Sequence, residues 1–210
     1  MKIIQPEKTQ WTIYQQLEDL KLIAINLSDC SLRPCHNCIE TCTSCGSSKC
    51  TCNCSVKCPK SPELLSSDAV LYPIESGIMP LVYCFNSMNI CQTCWSCEGH
   101  NDNNGVLEKL PQIWFYTDSF MLLRVIDDCL SLLSAKSLLK VSWQLSTTYT
   151  AKSSQQNTFV IKPDLNLVDG MDLNTLHKDI FVIAEHFPEM IKKGCVDYIN
   201  ILNKKLLTFS

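Results

Sequence analysis

The chain has 210 residues, 46% of them hydrophobic, and a formal net charge of −3. That length suits one ordinary domain, or one domain with a small module, and the apolar share can fill a real core. The weak negative charge and the lack of any long Lys/Arg run argue against duplex DNA binding by bulk electrostatics, while a protein or RNA partner met in a shaped pocket stays open.

The first twenty residues, MKIIQPEKTQWTIYQQLEDL, carry Glu7, Glu18 and Asp19 and contain no apolar block, so they do not read as a secretory signal. No stretch approaches the roughly 20 apolar residues of a membrane span. The expectation is a cytoplasmic protein whose thiols stay reduced. Residues 1–28 predict an N-terminal helix/strand segment. A helix starts near Gln10, and the run LKLIAINL ends it, with Ile23, Ile25 and Leu27 alternating as in a short strand.

Residues 29–60 differ in kind. Nine of the fifteen cysteines fall here: Cys30, Cys35, Cys38, Cys42, Cys45, Cys50, Cys52, Cys54 and Cys58. Large apolar residues are almost lacking, so burial cannot hold the stretch and something else must cross-link it. Cys35-x2-Cys38 and Cys42-x2-Cys45 are chelating knuckles, because a two-residue gap lets two sulfurs meet one tetrahedral ion. Eight thiolates close two four-cysteine sites and leave Cys30 spare, or all nine share bridged ions, and His36 could replace a sulfur. Structural zinc contributes about 10–16 kcal/mol of apparent binding energy, enough to fold such a segment. An iron–sulfur cluster is one alternative, since Cys54-x3-Cys58-Pro59 matches the tail of a ferredoxin motif, although Cys50-x-Cys52-x-Cys54 is too tight for its first half, and disulfides or redox thiols are another. The C-x-C spacing resembles metallothioneins in composition.

After the linker KSPELLSSDAVLYP, residues 66–210 predict an α+β domain: a small, mainly antiparallel sheet packed with helices and preceded by the metal-stabilised segment. Met79–Met88 is an apolar segment that favours helix. Ile113–Thr117 is a strand, and Asp118 or Ser119 caps a helix whose core face is Leu122, Leu123, Ile126, Leu130 and Leu133. Val141–Thr147 and Thr158–Ile161 form a hairpin around AKSSQQN. A last helix starts near Asp172, buries Leu173, Leu176, Ile180, Ile183 and Phe187, and should kink or end at Pro188. Trp114, Phe115, Tyr116, Trp143 and Phe159 are expected in the core, as are Cys84, Cys129 and Cys195. Asp127 and Asp128 are expected on a solvated helix face, and His177 and His186 at the surface.

A second cysteine group, Cys91, Cys94, Cys97 and His100, has the spacing C-x2-C-x2-C-x2-H in a helical turn or compact loop. Three cysteines and a histidine are a zinc set, but ligands three apart drift around a helix and need not converge. Within it, SCEGH places Cys97, Glu98 and His100 around Gly99, and these three are the candidate catalytic residues: Glu98 or His100 as acid–base group, Cys97 as ligand or nucleophile. Asn86, CQTCWSCEGH and the strand LPQIWFY together look like the layout of wybutosine-synthesis methyltransferases, over Pro80–Tyr116. That resemblance implies a small α+β domain with its site on the loop before a strand, and an S-adenosylmethionine-dependent activity on tRNA. The family's Ser-Cys-Ser-Gly-Arg is Ser96-Cys97-Glu98-Gly99-His100 here.

The function expected is zinc binding, with a cysteine-rich module attached to an α+β domain in an interaction or metal-handling role. The alternatives are a nucleic-acid-modifying transferase working at SCEGH, and an iron–sulfur carrier or sensor.

Overall fold

A computed structural model describes residues 6–28, 74–148, 157–164 and 171–208. The cysteine run Cys30–Cys58, the linker behind it and nearly all of the AKSSQQN loop lie outside the described residues.

Helix α1 spans Pro6–Ser28, with Pro6 in the first turn, where its missing N–H is no loss. Ile13, Leu17, Leu20, Ile23 and Leu27 recur at helical spacing and are buried. The strand expected over Ile23–Leu27 does not form. Ile23 and Leu27 are one turn apart on the core face, and Ile25 between them is 59% exposed.

Helix α2 (Met79–Met88) has Pro80 in its first turn, is buried on most sides, and closes at Asn89, whose φ of 51° is left-handed. The chain then builds β1 (Gln92–Cys97), β2 (His100–Asn101), β3 (Leu107–Lys109) and β4 (Gln112–Tyr116). Helix α3 (Phe120–Ala135) follows, capped by Ser119, whose Oγ accepts from Leu122 N at 2.9 Å. The same hydroxyl donates to Asp19 Oδ2 at 2.5 Å and so ties α1 to the start of α3. Strands β5 (Trp143–Thr148) and β6 (Thr158–Pro163) form the expected hairpin.

Helix α4 spans Leu173–Leu207 with Asp172 as N-cap and Pro188 inside. It does not end at Pro188. An internal proline costs about 3 kcal/mol, but Phe187, Ile191 and Cys195 are fully buried on either side of it, and their packing outweighs that cost.

The main sheet has the order β1-β4-β6-β5, with every neighbour antiparallel, and β2–β3 form a small second sheet. The architecture is α+β. Ile113 and Phe115 of β4 are buried on the helix-facing side, opposite Ile161 and Phe159 of β6. Phe85 stands between Phe115 (5.2 Å) and Phe187 (6.0 Å), so ring contacts join α2, β4 and α4 at the centre of the core. Two of the aromatic residues expected there lie elsewhere. Trp114 and Tyr116 alternate onto the other face of β4 and are only half-buried, and Trp114 meets the exposed Trp95 edge-on.

One buried carboxylate fastens the sheet to α4. Asp179 is 1% exposed and accepts from Lys140 N (2.9 Å), Val141 N (3.1 Å) and Trp143 Nε1 (3.2 Å). These three donors satisfy the buried carboxylate. Among the described residues no helix is long and apolar enough to cross a membrane.

Candidate metal centre

Three segments meet at one end of the main sheet: the turn before α2, the link from β1 to β2, and the first turns of α4. Gly99 makes the meeting possible. Its φ of +86° is left-handed, and a Cβ there would lie 2.8 Å from Leu173 Cδ1 and 2.9 Å from both Lys109 O and Pro111 Cδ. Only glycine turns the chain in that space, and the turn sends His100 into β2 opposite Lys109.

Two glutamates then clamp the segments reciprocally. Glu75 Oε2 accepts from Glu98 N at 2.7 Å, and Glu98 Oε2 accepts from Gly77 N at 2.6 Å. The Glu75 carboxylate holds the backbone of Glu98, and the Glu98 carboxylate holds the backbone of Gly77, two residues after Glu75, so each segment pins the other as in a capping box. The α4 side is joined by His177, whose Nε2 lies 2.8 Å from Glu98 O. A carbonyl only accepts, so that ring nitrogen carries the proton. Gly77 is glycine for the same reason of space, because a Cβ would stand 2.5 Å from His177 Nε2.

Inside the clamp, Glu75, Cys97 and His100 converge. One ligand atom from each lies within 4.8 Å of the others, and they are the one such group among the described residues. His100 Nε2 is 3.1 Å from Glu75 Oε1. Cys97 is buried, whereas the side chains of Glu75 and His100 are 33% and 43% exposed, so the group has a closed floor and a rim open to solvent. Burial pushes the Cys97 thiol above its ordinary value, the Gly99 N–H opposes this by pointing at the sulfur, and the Glu75 charge raises it further. A carboxylate and a thiol that burial holds in its protonated form thus share one corner, and a cation that displaced the thiol proton would be stabilised by both groups.

Of the candidate residues, the structure brings Cys97 and His100 together with Glu75. The Glu98 carboxylate is directed to Gly77 instead. Cys91 and Cys94 do not join the group. The segment expected as a helical turn or loop is the edge strand β1, with a register shift between Thr93 and Trp95. Cys94 is exposed and bonded to the Tyr116 hydroxyl, while Cys91 packs against the core, where burial pushes its thiol up to about 12. Asn86 accepts from Thr93 Oγ1 at 2.8 Å and so pins α2 to β1. Cys84, Cys129 and Cys195 are buried, and Asp127 and Asp128 are exposed, as expected. His177, expected at the surface, is half-buried in the clamp.

Glu75 and His177 carry no motif. Glu75 sits in an unremarked ES pair before α2, and only folding brings it to Cys97. Comparison with known protein families, with curated proteins and with solved structures finds no match for this chain.

Proposed function

We propose that the protein binds zinc, and that Glu75, Cys97 and His100 form a zinc site in the α+β domain separate from the sites expected in Cys30–Cys58. The observation that carries this is the convergence of a thiol, an imidazole and a carboxylate on one point. Thiolate, imidazole and carboxylate together are a zinc donor set. Two of the three also have the outer partners that metal ligands need: Glu98 N on the Glu75 carboxylate and Gly99 N–H on the Cys97 sulfur. A cation would sit where His100 Nε2 and Glu75 Oε1 now meet at 3.1 Å. Three protein ligands leave a fourth position, on the exposed rim, for water or an outside donor.

Metal analysis of protein purified without added metal tests the proposal. Cys97→Ser and His100→Ala should each lower zinc by about one equivalent relative to wild type. Cobalt in place of zinc should give a thiolate-to-metal charge-transfer band that Cys97→Ser removes. Unchanged metal content in both variants refutes the site. Brown protein with bound sulfide would turn the reading to iron–sulfur. The likeness to wybutosine-synthesis methyltransferases would put tRNA chemistry at the same loop, but it makes no use of Glu75, which the zinc reading does.

A further inference from the structure

We infer that α1 pairs antiparallel with α1 of a second copy of this chain, through the face turned away from the core.

The helix has two apolar faces. Ile13, Leu17, Leu20, Ile23 and Leu27 face α3 and α4. On the other side Trp11, Tyr14, Leu22 and Ile25 are 64%, 54%, 58% and 59% exposed. At 3.6 residues per turn these four fall within an arc of about 80°, and its centre lies about 160° from the centre of the buried stripe. A surface helix needs one apolar stripe to hold its place, so the second is surplus to folding. The other exposed apolar residues form no comparable stripe: on α4, Ile201 is about 140° around the helix from Val196, and Leu207, about 20° from Val196, lies about 17 Å farther along.

The occupant follows from the order along the stripe. Trp11, Tyr14, Glu18, Leu22 and Ile25 are spaced 3, 4, 4 and 3 residues apart, symmetric about Glu18. A two-fold axis through Glu18 therefore sets Trp11 of one copy against Ile25 of the other and Tyr14 against Leu22. Aromatic residues meet aliphatic ones at both ends, and the same surface serves both copies, as an isologous contact requires. At the axis, the Glu18 carboxylate is already 2.8 Å from Lys21 Nζ within one helix. In this register the two Glu18 carboxylates face each other at the axis, each neutralised by Lys21 of its own helix, and the two lysines flank them on opposite sides. The contact runs about 21 Å along the helix, shorter than the roughly 800 Å² per partner of a standard interface would need, so the expected dimer is weak and reversible.

Sedimentation equilibrium of the full chain with reductant present, from about 1 to about 300 µM, reads the association. Wild type should dimerise in that range. Leu22→Glu should weaken it by about tenfold or more, with the thermal melt unchanged because the residue is exposed. Glu18→Lys should weaken it too, and Glu18→Lys with Lys21→Glu should restore it, which a merely sticky patch would not do. A photo-crosslinker at position 22 should capture the peptide holding Tyr14 of the partner subunit. A monomer throughout the range, a dimer indifferent to Leu22→Glu, failure of the charge swap, or a crosslink from 22 to 22 each overturns the proposal.

Discussion

Gly77 is where one added carbon should most disturb the centre. A Cβ at this position would stand 2.4 Å from His177 Cε1, 2.5 Å from His177 Nε2 and 2.9 Å from Glu98 Oε2. The φ of Gly77 is not left-handed, so alanine fits the backbone and its cost is one of space alone. The imidazole must leave, and its 2.8 Å bond to Glu98 O goes with it. A bond of this kind is worth about 0.5–1.5 kcal/mol. With the remaining crowding against the Glu98 carboxylate, Gly77→Ala should cost about 1–3 kcal/mol. His177→Ala loses the same bond but opens the space that a methyl group at position 77 needs. The double variant should therefore be about as stable as His177→Ala alone, and the two changes should be non-additive by about the cost of Gly77→Ala itself, about 1–3 kcal/mol. Urea denaturation of wild type, both single variants and the double variant measures this coupling. Zinc affinity should fall about tenfold in Gly77→Ala, because the carboxylate that holds the Glu75 turn is pushed aside. Energies that add to within about 0.5 kcal/mol would refute the packing argued for this corner.

Asp179→Ala should be more costly than any change at the rim. It leaves the N–H groups of Lys140, Val141 and Trp143 without their acceptor. A loss of about 3–5 kcal/mol is expected in calorimetry or chemical denaturation, and a loss under about 1 kcal/mol would mean that water replaces the carboxylate. The buried thiols set an alkaline limit. Burial pushes Cys129 up to about 12 and Cys195 up to about 11, against an ordinary value of 9.0. Both stay protonated when folded while the unfolded chain ionises. Their contribution to stability is thus complete below about pH 9 and is lost between there and about 11–12. Urea midpoints should fall over that window, and Cys129→Ala with Cys195→Ala should flatten the fall.

Much of the fold could be read from periodicity because its core elements each have one apolar face. Leu122 to Leu133 recur at helical spacing and are buried, Ser119 caps that helix, and Asp172 caps the last one. The β5–β6 hairpin alternates as a strand pair should. Periodicity misled where an element has two apolar faces or none. In α1 the core stripe and the outer stripe interleave, so Ile23, Ile25 and Leu27 imitate a strand. In β1, QTCWSC is a polar edge strand with a register shift, and its thiol spacing resembles a chelating loop. The centre was half-legible for a related reason. Cys97, Gly99 and His100 are neighbours in the chain, whereas Glu75 and His177 arrive by tertiary packing and leave no local trace.

The way the centre satisfies itself without an ion separates its role from that expected of the cysteine run. Glu75 has Glu98 N and His100 Nε2, Glu98 has Gly77 N, and the Cys97 sulfur has Gly99 N–H. Among the described residues, no buried polar group at this corner is left waiting for a cation, and Phe85, Phe115 and Phe187 hold the surrounding core by burial alone. A cation here would occupy a corner already folded, so its binding energy is available for an exchangeable ligand at the open position. Residues 29–60 lack the apolar side chains for a core, and any metal's binding energy would be consumed in ordering the chain. Chelation at this corner should therefore remove an ion from a standing fold and leave the thermal melt of the described domain little changed.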